Sequence, residues 1–147
     1  MSGGMKAQLK EALKTAMKAQ NRLRLDTIRA LLSEIQYEEM QKSVNDLAPA
    51  ECTAVLQREV KKRAESMQFE EQAGRAEQKA KLAQEITIIE EFLPKQMSAQ
   101  ELEKIITDFK ASTPGAALPL VMKHLKENFA GQYDGKSASE IAKRVLG

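Results

Sequence analysis

The side chains able to do chemistry are few and scattered. There is one histidine, His124, one cysteine, Cys52, and no tryptophan. His124 falls between Met122 and Leu125 with lysines nearby. No nucleophile or orienting carboxylate stands at a matching spacing, so it reads as a rim residue rather than a general base. A lone cysteine excludes an internal disulfide and a cysteine-based zinc cage. Cys52 falls in the first turn of a predicted helix, where the dipole acts to lower a thiol pKa, although a small half-buried residue is the simpler reading. Glu70-Glu71 and Glu90-Glu91 are sequence neighbours, which point about 100° apart on a helix and so make solvated charge rather than a catalytic dyad. Neither a phosphate-binding Gly-x-x-x-x-Gly-Lys loop nor a dinucleotide fingerprint occurs. Gly131 and Gly135 flank a turn with Lys136 that could meet a phosphate, though turn glycines alone explain them. No cofactor or metal is expected, and binding is favoured over catalysis.

Basic residues are the remaining candidates. Net charge is only +2 over 147 residues, which by itself does not argue for nucleic acid. Residues 1–45 carry eight basic and five acidic side chains, residues 46–93 seven and ten, and residues 94–147 eight and six. No segment is a basic arm, so a nucleic-acid contact would be a local patch. Lys6, Lys10, Lys14 and Lys18 recur every four residues and read as a solvated face. The run Arg58 to Ser66 carries a surplus of positive charge, with Glu59 and Glu65 as partial partners for Arg58.

These residues must be positioned by helices. Helix formers dominate, aromatics make up 4% of the chain, and period-two strand patterns are absent. The expected fold is all-α, with an N-terminal four-helix part over 1–94 and a smaller C-terminal three-helix bundle over 95–147. A first helix over Met5–Ala19 buries Leu9, Ala12, Leu13, Ala16 and Met17. Asn21 caps a second helix over 22–41, with Leu25, Ile28, Leu32 and Ile35 as its seam and Leu31 beside it. Pro49 opens a third helix, with Leu56, Val60, Ala64 and Met67 buried, and Ala73-Gly74 ends it. A fourth runs from Arg75 or Ala76 to Leu93, where Pro94 stops it. Short connections make these an up-and-down bundle or paired hairpins.

After the joint, Ser98 and Glu101 form a capping box for a helix carrying Leu102, Ile105, Ile106 and Phe109. The next helix starts near Leu118-Pro119 and buries Met122, Leu125 and Phe129. A second capping box, Ser137 to Glu140, is predicted to open the last helix, with Ile141, Val145 and Leu146 inside. No apolar run approaches the ~20 residues of a membrane span. Met1-Ser2-Gly3-Gly4 lacks a signal-peptide core, so the cytoplasm is the expected compartment.

Several motifs occur in one order: Arg22-Leu23, Ile28-Arg29, Val60 to Ser66, Ala73-Gly74-Arg75, Glu85-Ile86, Phe92-Leu93-Pro94, Val121-Met122-Lys123, Gly131 and Asp134-Gly135-Lys136. This order and spacing resembles the YqeY family of small bacterial proteins, over roughly Met5 to Leu146. The resemblance implies a four-helix part followed by a three-helix part. It also implies kinship of Ser98–Leu146 with the C-terminal tail domain of the B subunit of the tRNA-dependent amidotransferase, a tail that helps hold tRNA by its shape. The amide-transfer chemistry of that enzyme lies in a domain that has no counterpart here. A carbon–nitrogen ligase activity with glutamine as amido-N-donor would therefore be inherited by kinship, without residues to support it. Pro119 stands where the family usually has glycine, and Leu82 where an acidic residue is common.

The first expectation is thus a noncatalytic module that binds tRNA, or a tRNA-modifying or aminoacylating enzyme. Its candidate contacts are Arg29, Lys61, Lys62, Arg63, Arg75, Lys123, Lys126, Lys136 and Arg144. The alternative is a protein–protein adaptor. In either case Arg29, Arg63 and Arg75 could instead form interhelical ion pairs with Glu65, Glu85 or Glu34.

Overall fold

A computed structural model describes residues 4–147. Met1–Gly3, and with them most of the segment read for a signal peptide, lie outside the described residues. The described residues hold seven α-helices and no strand: α1 (Met5–Lys18), α2 (Arg22–Lys42), α3 (Pro49–Gln72), α4 (Ala76–Glu90), α5 (Ala99–Ser112), α6 (Leu118–Asn128) and α7 (Gly135–Leu146). The all-α expectation holds. By contact density the chain falls into two compact units, Met1–Leu93 and Pro94–Gly147.

In the first unit the helix ends carry the local logic. Asn21 accepts from the Arg24 amide at 3.1 Å, as its position predicts. The α3 cap position is Ala48, which offers no acceptor. Glu51 offsets this by reaching back to the Ala48 amide at 3.3 Å. At the end of α3 the Arg75 amide donates to the Glu70 carbonyl and the Gly74 amide to Glu71, with Gly74 at φ +73°. This is the Schellman arrangement that glycine permits at no steric cost. The ends of α1 and α2 close the same way on residues less suited to it, Gln20 and Ser43, each at φ +55°.

The core gathers Leu9, Ile28, Leu31, Ile35, Leu47, Cys52, Val55, Leu56 and Ile89. Two expectations about faces fail. Met17 is 52% exposed, because only Leu9 and Ala16 of α1 lie fully inside. Ala64 is exposed and Val60 and Met67 are half-buried. The buried residues of α3 all lie between Cys52 and Glu59. α3 packs most extensively on α4 and carries no fully buried residue beyond Glu59, so the two helices form an arm whose tip is solvated. Periodicity finds the inward face of a helix but not how far its neighbours extend along it. The end of α4 also differs: the helix stops at Glu90, and Phe92 and Leu93 continue through tighter three-residue turns. Arg24 holds this end to α2, pairing with Glu91 at 2.9 Å beneath the Phe92 ring.

Lys6 is not part of a solvated row. It pairs with Glu39, 3.0 Å away and buried, and with Asp46 at 3.3 Å. Glu39 also accepts from the Leu47 amide at 3.2 Å, so one buried carboxylate ties α1 and the α2–α3 turn to α2. The hydrogen bond to Glu39 raises the Lys6 pKa against the opposing cost of burial.

The second unit packs Leu102, Ile106, Val121, Leu125, Ala138, Ile141 and Ala142 into a core of its own. Ser98 and Glu101 make both bonds of the expected capping box, each 3.1 Å. The other expected box does not form. Asp134 caps α7 instead, accepting from the Ser137 amide and hydroxyl at 3.0 Å each. Ser137 is thus the third helical residue, and Gly135-Lys136 opens the helix rather than flanking a turn. Pro119 sits in the first turn of α6, where its missing N–H costs nothing.

Candidate functional site

The nine basic candidates divide by environment. Arg63 is internal: its side chain is 14% exposed, and it donates through Nε to Glu85 at 2.8 Å and through Nη1 to Glu59 at 2.9 Å. Lys62 adds a third cation–carboxylate contact, to Glu59 at 3.1 Å. Burial pushes the Glu59 carboxyl up, but hydrogen bonds from Arg63 and Lys62 outweigh it and hold the group below its usual value. Burial likewise opposes the Arg63 charge, and Glu59 and Glu85 outweigh it, raising the guanidinium pKa. The ion-pair reading of Arg63 with Glu85 is therefore correct, and Glu59 is a partner that sequence reasoning missed. Its signal was present, since Glu59 stands four residues before Arg63 on one helix.

Arg75 pairs with Glu70 at 3.1 Å at the tip of the arm, not with Glu65, Glu85 or Glu34. Arg58 reaches Glu38 on α2 at 3.3 Å rather than a neighbour on its own helix. Arg29 and Lys61 are exposed on α2 and α3. In the second unit Arg144 pairs with Glu103 at 3.2 Å, joining α7 to α5. Lys123, Lys126 and Lys136 are exposed, and no described carboxylate pairs with them. Lys123 and Lys126 are three apart and share a face of α6.

The two reactive side chains are both occupied structurally. Cys52 is 4% exposed, and burial pushes its thiol up rather than the helix dipole drawing it down. His124 stacks on Phe109 with ring centroids 4.3 Å apart, meets the edge of Phe129 at 6.0 Å, and contacts the Asn128 amide through Nδ1 at 3.2 Å. It is half-buried in aromatic contact, as a rim residue is expected to be. No group of three His, Cys, Asp or Glu among the described residues could hold a metal ion. No helix of the described residues is long and apolar enough to cross a membrane.

The structure adds a feature no single motif revealed. Arg22, Leu23, Asp26, Thr27 and Ala30 repeat along one face of α2. They line a groove of about 380 Å³ together with Arg63 of α3 and Lys81 and Glu85 of α4. Arg22 Nε donates to Asp26 Oδ2 at 3.2 Å, and Arg63 takes Glu85 Oε1. Thr27 turns its hydroxyl back to the Leu23 carbonyl at 2.8 Å. Motif residues 41 and 63 positions apart along the chain, Arg22 with Arg63 and with Glu85, thus face one space. Lys81 lies in no motif, and only the fold places it there.

No curated protein matches the chain. Arg22, Arg63 and Glu85, from three separate sequence motifs, line one groove. The YqeY-like protein family matches residues 6–146, and the chain belongs to that family.

Proposed function

We propose that this protein is a noncatalytic cytoplasmic module that holds tRNA, or works beside a tRNA-dependent amidating enzyme, through the surface of residues 95–147. The observation that carries this reading is the trio Lys123, Lys126 and Lys136, exposed without carboxylate partners in the unit that resembles the amidotransferase tail. Three acids of this unit are engaged elsewhere: Glu101 and Asp134 cap helices, and Glu103 holds Arg144. Lysines left free in this way are available to phosphates, and their binding releases counterions. Arg63 drops out of the tRNA contact set, because its side chain is only 14% exposed and it lies outside residues 95–147. Titrating bulk tRNA at several salt concentrations tests the reading. Affinity should fall steeply with salt, and replacing the three lysines with glutamine should flatten the log–log slope by about 2 to 3. An absence of binding at low salt would end it.

The adaptor reading has an observation of its own. Tyr37 and Met40 are 55% and 71% exposed near the end of α2, three apart on one side, and Val44, 43% exposed, follows the helix end. A partner captured from nuclease-treated extract, and lost on Tyr37→Ser with Met40→Ser, would favour protein over RNA. On the third reading, carbon–nitrogen ligation with glutamine as amido donor, the surroundings of Cys52 and His124 supply no support.

A further inference from the structure

We propose that the groove between α2, α3 and α4 is a binding site for an oxyanion carried by a small molecule, a phosphate ester or a carboxylate. This site belongs to the first unit and stands independently of the tRNA reading. Three cationic side chains line it, Arg22, Arg63 and Lys81. Their commitments leave donors over. Arg22 uses Nε on Asp26, Arg63 uses Nε and Nη1 on Glu85 and Glu59, and no described acceptor takes Arg22 Nη1 or Nη2, Arg63 Nη2 or Lys81 Nζ. Of the two lining carboxylates, Asp26 is paired with Arg22 and Glu85 with Arg63, which also serves Glu59, so Lys81 is the lining cation with no carboxylate of its own. Arg63 is clamped from two sides by Glu85 and Glu59, which fixes the direction of its one remaining donor nitrogen, Nη2.

The remaining walls are apolar, Leu23 and Ala30. The space of about 380 Å³ lies at the small end of ligand sites. It has room for an anionic group with a compact body. The free oxygens of Asp26 and Glu85 would accept from hydroxyl or amino groups of that body, which disfavours a bare polyanion.

The test is an amide NMR titration of the full chain at constant ionic strength. Separate arms use inorganic phosphate, ribose 5-phosphate and citrate, with sodium chloride as reference. Saturable shifts at Leu23, Thr27 and Lys81 in a phosphate or carboxylate arm, absent with chloride, are expected, and the stronger arm identifies the source. Lys81→Gln and Arg22→Gln alter exposed side chains and leave the buried Arg63 cluster intact. Each should weaken binding roughly tenfold or more while leaving the remaining amide spectrum unchanged. Shifts that do not saturate by about 10 mM in any arm, or affinity unchanged in both variants, would overturn the proposal.

Discussion

Removing Arg63 is expected to be the most damaging single change to the first unit. Its guanidinium makes three contacts of 2.8–3.1 Å, to the Glu85 carboxylate and to the carboxylate and carbonyl of Glu59. The Glu59 side chain is 4% exposed and Glu85 15%. Arg63→Ala leaves Glu59 buried with only Lys62, itself 59% exposed, to offset its charge. Breaking such a pair from one side costs about 3–5 kcal/mol, because the abandoned charge stays buried. Set against the roughly 5–15 kcal/mol of an ordinary domain, this is a large share, and the melting midpoint should drop by more than about 10 °C.

The pH dependence identifies the cause. The Glu59 pKa is depressed in the folded state, so its contribution is present above the unfolded value of 4.5 and is lost as pH falls through the lower folded value. In Arg63→Ala that sign reverses, since a buried unpaired carboxyl folds more readily when protonated. The defect measured by urea denaturation, followed by circular dichroism and by α3 amide exchange, should therefore shrink between pH 7 and pH 4. Replacing all three partners with apolar residues (Glu59→Leu, Arg63→Met, Glu85→Leu) should recover most of the loss. A loss under about 1 kcal/mol, or one that does not shrink on acidification, would refute the assignment of Arg63 as a structural clamp.

Two further outcomes test helix ends. Ser43→Gly relieves a left-handed residue at the end of α2 and should raise stability by about 0.5–1 kcal/mol in denaturant unfolding, so a decrease would contradict the geometry. Asp134→Ala should destabilise α7 by about 1 kcal/mol in the same measurement, and by more than Ser137→Ala does. The opposite ranking would restore Ser137 as the cap.

Much was legible because it is local. Asn21, the Ser98–Glu101 box, Pro49 and Gly74 act within three or four residues of themselves, and each does in the structure what its type requires. The failure at Ser137 has the same character. Two acceptors competed for one helix start, and Asp134 took it, carrying Gly135 and Lys136 into the helix. Reading Asp134 as a cap was possible from sequence, since it too stands three residues before a donor.

What the sequence by itself determined is the set of helices, most of the inward positions and the family, because periodicity, caps and motif order are written along the chain. Only the tertiary structure decided which charges are free. Glu39 and Glu59 look like ordinary surface acids on their helices, and become buried clamps because Lys6 and Arg63 reach them across and along the packed elements. Arg22, Arg63, Lys81 and Glu85 come from three helices and meet only when those helices pack. The pairing of a long, flexible charged side chain depends on distances between elements, which no spacing within one element specifies.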